Sequence, residues 1–443
     1  MALGDTLFVG YYNSWSKDLP EDVKLSKYSH INLAYILPKA DGTFEYDTTF
    51  FTAERVKSIQ AEGPKVLASV GGFDGSFKYS TLVADVTVTK EFITNLMFLV
   101  KALNLDGIDF NWENIGIKTG CYDVDLKHDA YNYLRFIQDV RLRFTKEFGE
   151  GKKMVTTALG IKPFLMDGES LDNVSEFAKV VDYGTIRAFD MNGAGIDSTG
   201  PNAPLPRKNA LGSKESIEET IQNWIDAKWP VNKLVLGLPF YGSSAIVKGD
   251  VGSDEVGMYA QREAGVPKGD WMDREVSLTG CKDEKVFTGN WKYRNLRVSA
   301  LTSPNEAQKD WKYFWDEGSQ TPWLYNQGNM TFISYDNPES ITAKVKHAAG
   351  LGLAGAMVWA VDMDFKEELV NAMQSWPKEK ETPEDKSEPD DKCTVEFQNS
   401  CPDEDGKSAT YSTCIGGVLI SRLCPDGTVC YKNNDDIKCD YRS

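Results

Sequence analysis

Eight consecutive residues, Asp106-Gly-Ile-Asp109-Phe-Asn111-Trp-Glu113, place polar side chains inside an otherwise apolar segment. Strand side chains alternate between two faces, so Asp109, Asn111 and Glu113 share one face. Burying such a row is costly unless every group is hydrogen-bonded. An edge strand with a solvated acidic face is the alternative. The apolar residues on both flanks instead favour a buried strand whose end delivers Glu113 into a cleft.

The bulk composition excludes several classes of partner. A chain of 443 residues with 41% hydrophobic content is long enough for one barrel-sized domain and a second, smaller domain. The net charge of -17 argues against nucleic acid and anionic membrane surfaces, because phosphate binding needs clustered Lys and Arg. No apolar run is long enough to span a membrane. A neutral polymer remains, and the 12% aromatic content fits sugar binding through ring stacking.

Strand-like segments alternate with longer amphipathic segments along most of the chain, which is typical of a parallel sheet with crossover helices. The predicted strands are 6–12, 30–37, 65–70, 107–112, 154–159, 181–189, 233–239 and 355–360. Eight such strands predict an α/β fold, a closed (β/α)8 TIM barrel. Active sites of that fold lie at the C-terminal ends of the strands, which is where Glu113 falls.

The pattern Asp-x-x-Asp-x-Asp-x-Glu on a barrel strand resembles the motif of the family 18 glycoside hydrolases, the chitinases and their relatives. The chain matches it at Asp106, Asp109 and Glu113. It departs from the motif at Asn111, where the family has a third Asp. Within this resemblance Glu113 is the proton donor of the reaction.

The segment 185–206 resembles the sixth strand of that family, commonly Met-x-Tyr-Asp, followed by an Asn-Ala-Pro-Leu loop. Asp190 matches the family Asp, whereas Phe189 replaces the usual Tyr and Arg187 replaces the usual Met. The catalytic residues that the resemblance implies are Glu113, Asp109, Asn111 and Asp190. The substrate-binding residues that it implies are Tyr11, Trp112, Phe189, Tyr241 and Trp359.

The family chemistry implies hydrolysis of β-1,4-linked N-acetylglucosamine polymers, chitin and chito-oligosaccharides, with retention. Glu113 protonates the leaving oxygen, and the 2-acetamido oxygen of the sugar attacks C1 in place of an enzyme nucleophile. The residue at 111 pairs with Asp109 and holds the acetamido group. An amide at Asn111 can accept a hydrogen bond but cannot share a proton, so we expect a rate about 10 to 1,000-fold lower. No metal-ligand spacing occurs, and no cofactor is implied.

The chain divides into a barrel, a linker and a tail. The barrel domain, 1–376, contains about 90 residues between Gly242, just after the seventh strand, and Ser334, too many for a structureless loop. We therefore predict an α+β insertion domain at 243–330. Segment 377–392 is charged and Pro-spaced, which predicts an extended linker.

The tail, 393–443, holds six of the eight Cys, which predicts a disulfide-rich module in an oxidising compartment. It resembles the chitin-binding modules of carbohydrate-binding family 19, with Tyr411 and Tyr431 as candidate stacking residues. We expect a monomeric protein that is secreted, extracellular or in the cell wall, although no signal peptide is present in this chain. Cys121 and Cys281 either pair or remain free.

Two other functions stay open. A chitin-binding pseudoenzyme, or lectin, is favoured by Asn111 and Phe189 and disfavoured by the intact Glu113, Asp109 and Asp190. An endo-β-N-acetylglucosaminidase acting on N-linked glycans would use the same catalytic mechanism. The chitin-type tail argues against that enzyme.

Overall fold

A closed barrel of eight parallel strands forms the centre of the molecule. The computed structural model describes residues 6–113, 115–192, 196–207, 212, 214–252, 257–277, 285–377, 399–401, 410–415, 418–424, 428–433 and 436–441. The barrel strands are β1 (Leu7–Asn13), β2 (His30–Pro38), β3 (Lys65–Gly71), β4 (Gly107–Asn111), β5 (Met154–Leu159), β6 (Tyr183–Ile186), β7 (Leu234–Pro239) and β8 (Gly355–Trp359). Each strand pairs with the next along the chain, and β1 also pairs with β8, which closes the ring.

The predicted (β/α)8 barrel is confirmed, and seven of the eight predicted strands agree with the structure within one residue at each end. The exception is β6, which is shorter at both ends than the predicted 181–189. At the C-terminal end of β6 the chain leaves the sheet within four residues. The backbone of Arg187 still donates to Leu159 O at 2.9 Å, but Asp190 already has a positive φ of 61°.

Helices pack around the strands and form the outer layer. They are α1 (Ala53–Ala61), α2 (Gly72–Gly75), α3 (Tyr79–Ala84), α4 (Val86–Leu103), α5 (Asp129–Phe148), α6 (Ser175–Val180), α7 (Ile217–Asp226), α8 (Tyr293–Ser299), α9 (Pro338–Gly350) and α10 (Glu368–Met373). Helix α4, which leads into β4, is capped at both ends. The Asp85 carboxylate accepts from the backbone of Thr87 and Val88, and Asn104 ends the helix with φ 54°.

Strand β4 lies between β3 and β5, so the edge-strand alternative is wrong. Its outward residues are apolar and contact the helices, and the rings of Phe110 and Phe136 on α5 meet edge to face with centroids 4.9 Å apart. Its inward residues are polar and buried, and Asp109 is 0% exposed. The alternation read from the sequence therefore places Asp109 and Asn111 inside the barrel.

Two glycines at the end of β3 allow the backbone to pass close to β4. Gly71 has φ 115°, and a Cβ there would lie 2.3 Å from the carbonyl oxygen of Asn111. Gly72 has φ 72°, and its Cβ would lie 2.4 Å from the Tyr35 ring. Any side chain at either position would push β4 or Tyr35 out of place.

A second sheet follows β7. Its five antiparallel strands, in spatial order, are Asn290–Lys292, Tyr241–Ile246, Thr331–Ser334, Thr321–Asn326 and Lys312–Asp316. It has its own small apolar cluster, in which the Trp323 and Phe314 rings stack with centroids 4.1 Å apart. Short strands pair elsewhere: Phe44–Glu45 with β2, Leu165–Met166 with Glu169–Ser170, Glu275–Val276 with Val286–Phe287, and Leu301–Ser303 with Glu306–Ala307.

The tail contains short antiparallel strands held by a disulfide. The strands are Asn399–Ser400, Thr410–Ile415, Val418–Leu423, Thr428–Asn433 and Asp436–Tyr441. A Cys401–Cys430 disulfide confirms that the tail is cross-linked. Cys121 is also disulfide-bonded, which excludes a free thiol there. Cys281 and residues 378–392 of the predicted linker lie outside the described residues. Among the helices described, none is long and apolar enough to cross a membrane.

Candidate active site

Asp109 is fixed inside the barrel by three hydroxyl groups. Its Oδ2 accepts from Tyr11 Oη at 2.7 Å and from Ser69 Oγ at 2.6 Å, and its Oδ1 accepts from Thr156 Oγ1 at 2.8 Å. The donors come from β1, β3 and β5, so the carboxyl is held from three sides. Burial raises the pKa of Asp109, and these three hydrogen bonds oppose the shift by favouring the charged form. Asp109 is thus a rigid anchor for the polar face of β4.

The side-chain amide of Asn111 uses its nitrogen, but not its oxygen, in a described hydrogen bond. Its Nδ2 donates to Tyr35 Oη at 2.9 Å, while its Oδ1 is buried and has no hydrogen-bond partner among the described residues. The family pairing between Asp109 and residue 111 is replaced here, since Tyr35 is the described partner of Asn111 and hydroxyls occupy both oxygens of Asp109. A buried acceptor without a donor is costly unless a ligand or water supplies one. The Asn111 oxygen is therefore available to an N–H group of a bound molecule.

Glu113 lies at the mouth of the barrel, just beyond β4. Its backbone N–H donates to Ser76 Oγ at 3.0 Å, which fixes the chain at this point. Its side chain is 18% exposed and forms an ion pair in which Arg187 Nη1 lies 2.9 Å from Oε1. The acid that the sequence identified is thus already bound to a cation.

Arg187 was noticed in the sequence only as a replacement for Met, and its contact with Glu113 was not predicted. Its position carried a usable signal, because Arg187 directly follows β6 at the same end of the barrel as Glu113. Its Nη2 also lies 3.4 Å from the backbone oxygen of Glu113, and its Nε is buried with no partner in the described part of the chain.

Asp190 and Tyr241 meet on the next part of the mouth. Tyr241 Oη donates to Asp190 Oδ1 at 2.5 Å, and Asp190 is solvent-exposed. Phe189 packs edge to face against the Tyr241 ring with centroids 6.2 Å apart. The structure therefore brings the predicted Asp190, Phe189 and Tyr241 together on the side of the mouth formed by β6 and β7.

Aromatic rings cover the part of the mouth formed by β8, β1 and β2. Trp359, at the end of β8, lies 5.3 Å from Tyr11 and 5.7 Å from Tyr35 between ring centroids, with the Tyr35 ring nearly parallel to it. Trp15 lies 6.3 Å from Trp359 and is 58% exposed. The sequence analysis named Tyr11 and Trp359 but missed Tyr35 and Trp15. The signal for Trp15 was a large apolar residue just past the C-terminal end of a barrel strand.

Trp112 does not belong to this group, and its prediction as a substrate contact needs correction. It is 3% exposed and stacks on Tyr79 of α3 with centroids 5.1 Å apart. The Tyr133 ring of α5 meets it edge to face. The alternation of β4 turns residue 112 away from the barrel interior, so Trp112 packs between sheet and helices.

An acidic strand end at the mouth of a (β/α)8 barrel, faced by an aromatic floor, is the architecture of a glycoside hydrolase. The comparison with known families agrees. Residues 7–364 match the family described as "Glycosyl hydrolases family 18", and the chain belongs to that family.

Individual relatives are similar along most of the chain. A "chitinase-like effector" of Moniliophthora perniciosa is 29% identical over 83% of this chain and 86% of its own length. The "Endochitinase" of Manduca sexta is 27% identical over 80% of this chain and 63% of its own length. The crystal structure of a chitinase from Rhizomucor miehei matches with a TM-score of 0.76 and 28% identity, covering 83% of this chain and 99% of that one.

Proposed function

We propose that the chain binds N-acetylated chito-oligosaccharides across the barrel mouth and hydrolyses them slowly through Glu113. The observation that carries the proposal is the convergence of an acid, a buried unpartnered acceptor and an aromatic floor at one mouth. These are Glu113, Asn111 Oδ1 and Trp359. The names of the Manduca and Rhizomucor relatives support the substrate class.

Each residue has a defined task in this proposal. Trp359 stacks on the apolar face of a sugar ring, and Asn111 Oδ1 accepts the acetamido N–H of the same sugar. The acetamido oxygen attacks C1 while Glu113 protonates the leaving glycosidic oxygen, and Glu113 then deprotonates the water that opens the oxazolinium ion. Asp109 stays in place and keeps β4 aligned. Asn111 cannot take part in proton sharing, so the rate is low.

A second candidate is a protein of the same cleft that binds without hydrolysis. The ion pair between Glu113 and Arg187 favours it, because one oxygen of the acid is already occupied by the guanidinium and not free for a glycosidic oxygen. The Moniliophthora relative, which is named an effector rather than an enzyme, also fits this candidate.

The first prediction tests both candidates through Glu113→Gln, using chitotetraose as the ligand. Binding measured by calorimetry should stay within a few-fold of the parent chain, because the amide keeps the shape of the acid. Turnover measured by product chromatography should fall about 100-fold or more, since general acid catalysis is worth that much.

Glu147→Gln, on the surface of α5, serves as the matched control and should change neither quantity. Equal turnover in the parent and in Glu113→Gln would mean that another residue is the acid. A parent chain that binds but shows no turnover would favour the second candidate. Absence of chitotetraose binding by the parent would overturn the proposal.

We also propose that the tail binds chitin and that the protein acts outside the cell as a monomer. The Cys401–Cys430 and Cys121 disulfides support an oxidising compartment. Tyr411 and Tyr431, on the strands Thr410–Ile415 and Thr428–Asn433, remain the candidate stacking residues. The family match ends before the tail, so the tail's role stands on its resemblance alone.

A further inference from the structure

Arg187 occupies an unusual position for a cation. It follows a buried barrel strand, and its side chain is only 20% exposed. One nitrogen, Nη1, lies 2.9 Å from Glu113 Oε1, and Nη2 makes only a long contact of 3.4 Å to the Glu113 backbone. Nε is buried and has no partner among the described residues. Both of these guanidinium contacts are thus with Glu113, while the charge of the guanidinium also acts on Asp109 and Asp190.

This contact opposes the chemistry that the proposed function asks of Glu113. A general acid must hold a proton, whereas a neighbouring guanidinium favours the ionised carboxylate and occupies one of its oxygens. The attraction is strong because both side chains are largely shielded from water. Among the described residues, Tyr35, Tyr122 and Asp190 also interact electrostatically with Glu113.

We propose that Arg187 is a positioning residue that holds the Glu113 carboxylate turned toward the end of β6, with one of its oxygens occupied, and so limits the hydrolysis rate independently of Asn111. The inference rests on the proposed function. The ion pair involves neither the aromatic floor nor Asn111 Oδ1, so sugar binding is retained while one Glu113 oxygen is withheld from the glycosidic bond. Hydrolysis then needs the pair to open, and removal of the cation should make it faster.

The test is a kinetic cycle on chitotetraose with the parent chain, Arg187→Met, Asn111→Asp and the double variant. Arg187→Met should raise kcat at least about tenfold in the Asn111→Asp background, with Kd within threefold, because the change acts on the acid and not on the floor. Arg187→Lys retains a positive charge and should raise kcat by less than Arg187→Met does. Arg143→Met removes an exposed arginine of α5, far from the mouth in its pair with Glu147, and is the control.

An Arg187→Met variant that binds chitotetraose with an unchanged or lower kcat would overturn the inference, because Arg187 would then be structural or would assist the acid. A second measurement keeps the inference separate from the proposed function. Crystal structures of the parent chain and of Arg187→Met, both without sugar, compare the position of the Glu113 carboxylate. It should leave its place beside the end of β6 in Arg187→Met. An unmoved carboxylate refutes the inference even if no variant binds sugar.

Discussion

Two arginine–carboxylate pairs flank strand β6, one at each end of the barrel. At the lower end Arg141 Nη2 lies 2.6 Å from Asp182 Oδ2, and the two side chains are 13% and 23% exposed. At the mouth Arg187 and Glu113 are similarly shielded. The chemistry and the burial match, but the surroundings of the two pairs differ.

The lower pair is complete, since Arg141 also donates through Nε to Val180 O and through Nη1 to Lys153 O. Asp182 Oδ2 accepts a further bond from the backbone of Val155. The pair at the mouth is incomplete, because Arg187 Nε has no partner among the residues that the structure describes. Buried polar groups that are fully satisfied stabilise a fold, whereas unsatisfied ones in a native protein mark positions kept for another reason. The comparison separates a structural pair from a functional one.

The largest expected effect is on the free energy of unfolding, which should differ between variants of the two pairs. Arg141→Met should lower the free energy of unfolding by about 3–5 kcal/mol, because it leaves Asp182 and two carbonyl groups without their buried partner. Arg187→Met should cost less than about 1 kcal/mol, since it removes a cation that was itself poorly satisfied. Urea unfolding followed by tryptophan fluorescence measures both values. Equal losses in the two variants would mean that the ends of the barrel do not differ in this way.

A second prediction concerns His30, which lies at the lower end and packs edge to face on Tyr183 of β6. Burial, followed by the charge of Lys65, lowers the pKa of His30 from 6.5 to about 4. The folded protein therefore holds the neutral imidazole while the unfolded chain takes up a proton. Stability from this group is present above pH 6.5 and is lost as the pH falls toward 4, by at most about 3 kcal/mol.

His30→Gln should flatten this dependence, and urea unfolding at pH 7, 5.5 and 4 measures the difference between variant and parent. The difference between the two proteins is used because two carboxyl groups also titrate in this range. Burial raises the pKa of Asp129 and of Asp364 to about 6, so their contribution to stability grows as the pH falls, equally in parent and variant. Parallel curves for parent and variant would show that His30 is protonated inside the fold.

The barrel could be predicted from the sequence because its signals are local. The period of two in β4 separates Asp109 from Phe110 and places each on its correct side, and seven strand predictions hold within a residue. The tight contact of β3 with β4 was also readable, since Gly71 and Gly72 stand where no side chain fits.

The parts of the site that were missed depend on contacts between strands that are distant in sequence. Tyr35 on β2 replaces Asp109 as the partner of Asn111, a result that only the closed barrel shows. The pair formed by Arg187 and Glu113 spans 74 residues. Trp112 was assigned to the substrate by its place in a motif, although its own alternation already turned it outward.

The smallest expected effect is that of Asn111→Asp, which sharpens the comparison by changing the mouth alone. The new carboxylate should still take the place of the amide beside Tyr35, because that hydroxyl can donate to it as readily as it accepted from Nδ2. With the other site residues already placed, kcat on chitotetraose should rise at least tenfold, about 1.4 kcal/mol of transition-state stabilisation. Binding must be measured beside the rate. A gain confined to Kd would mean that the acetamido group is held better without help for its attack on C1, and an unchanged kcat would move the assignment toward a binding protein whose acid is held by Arg187.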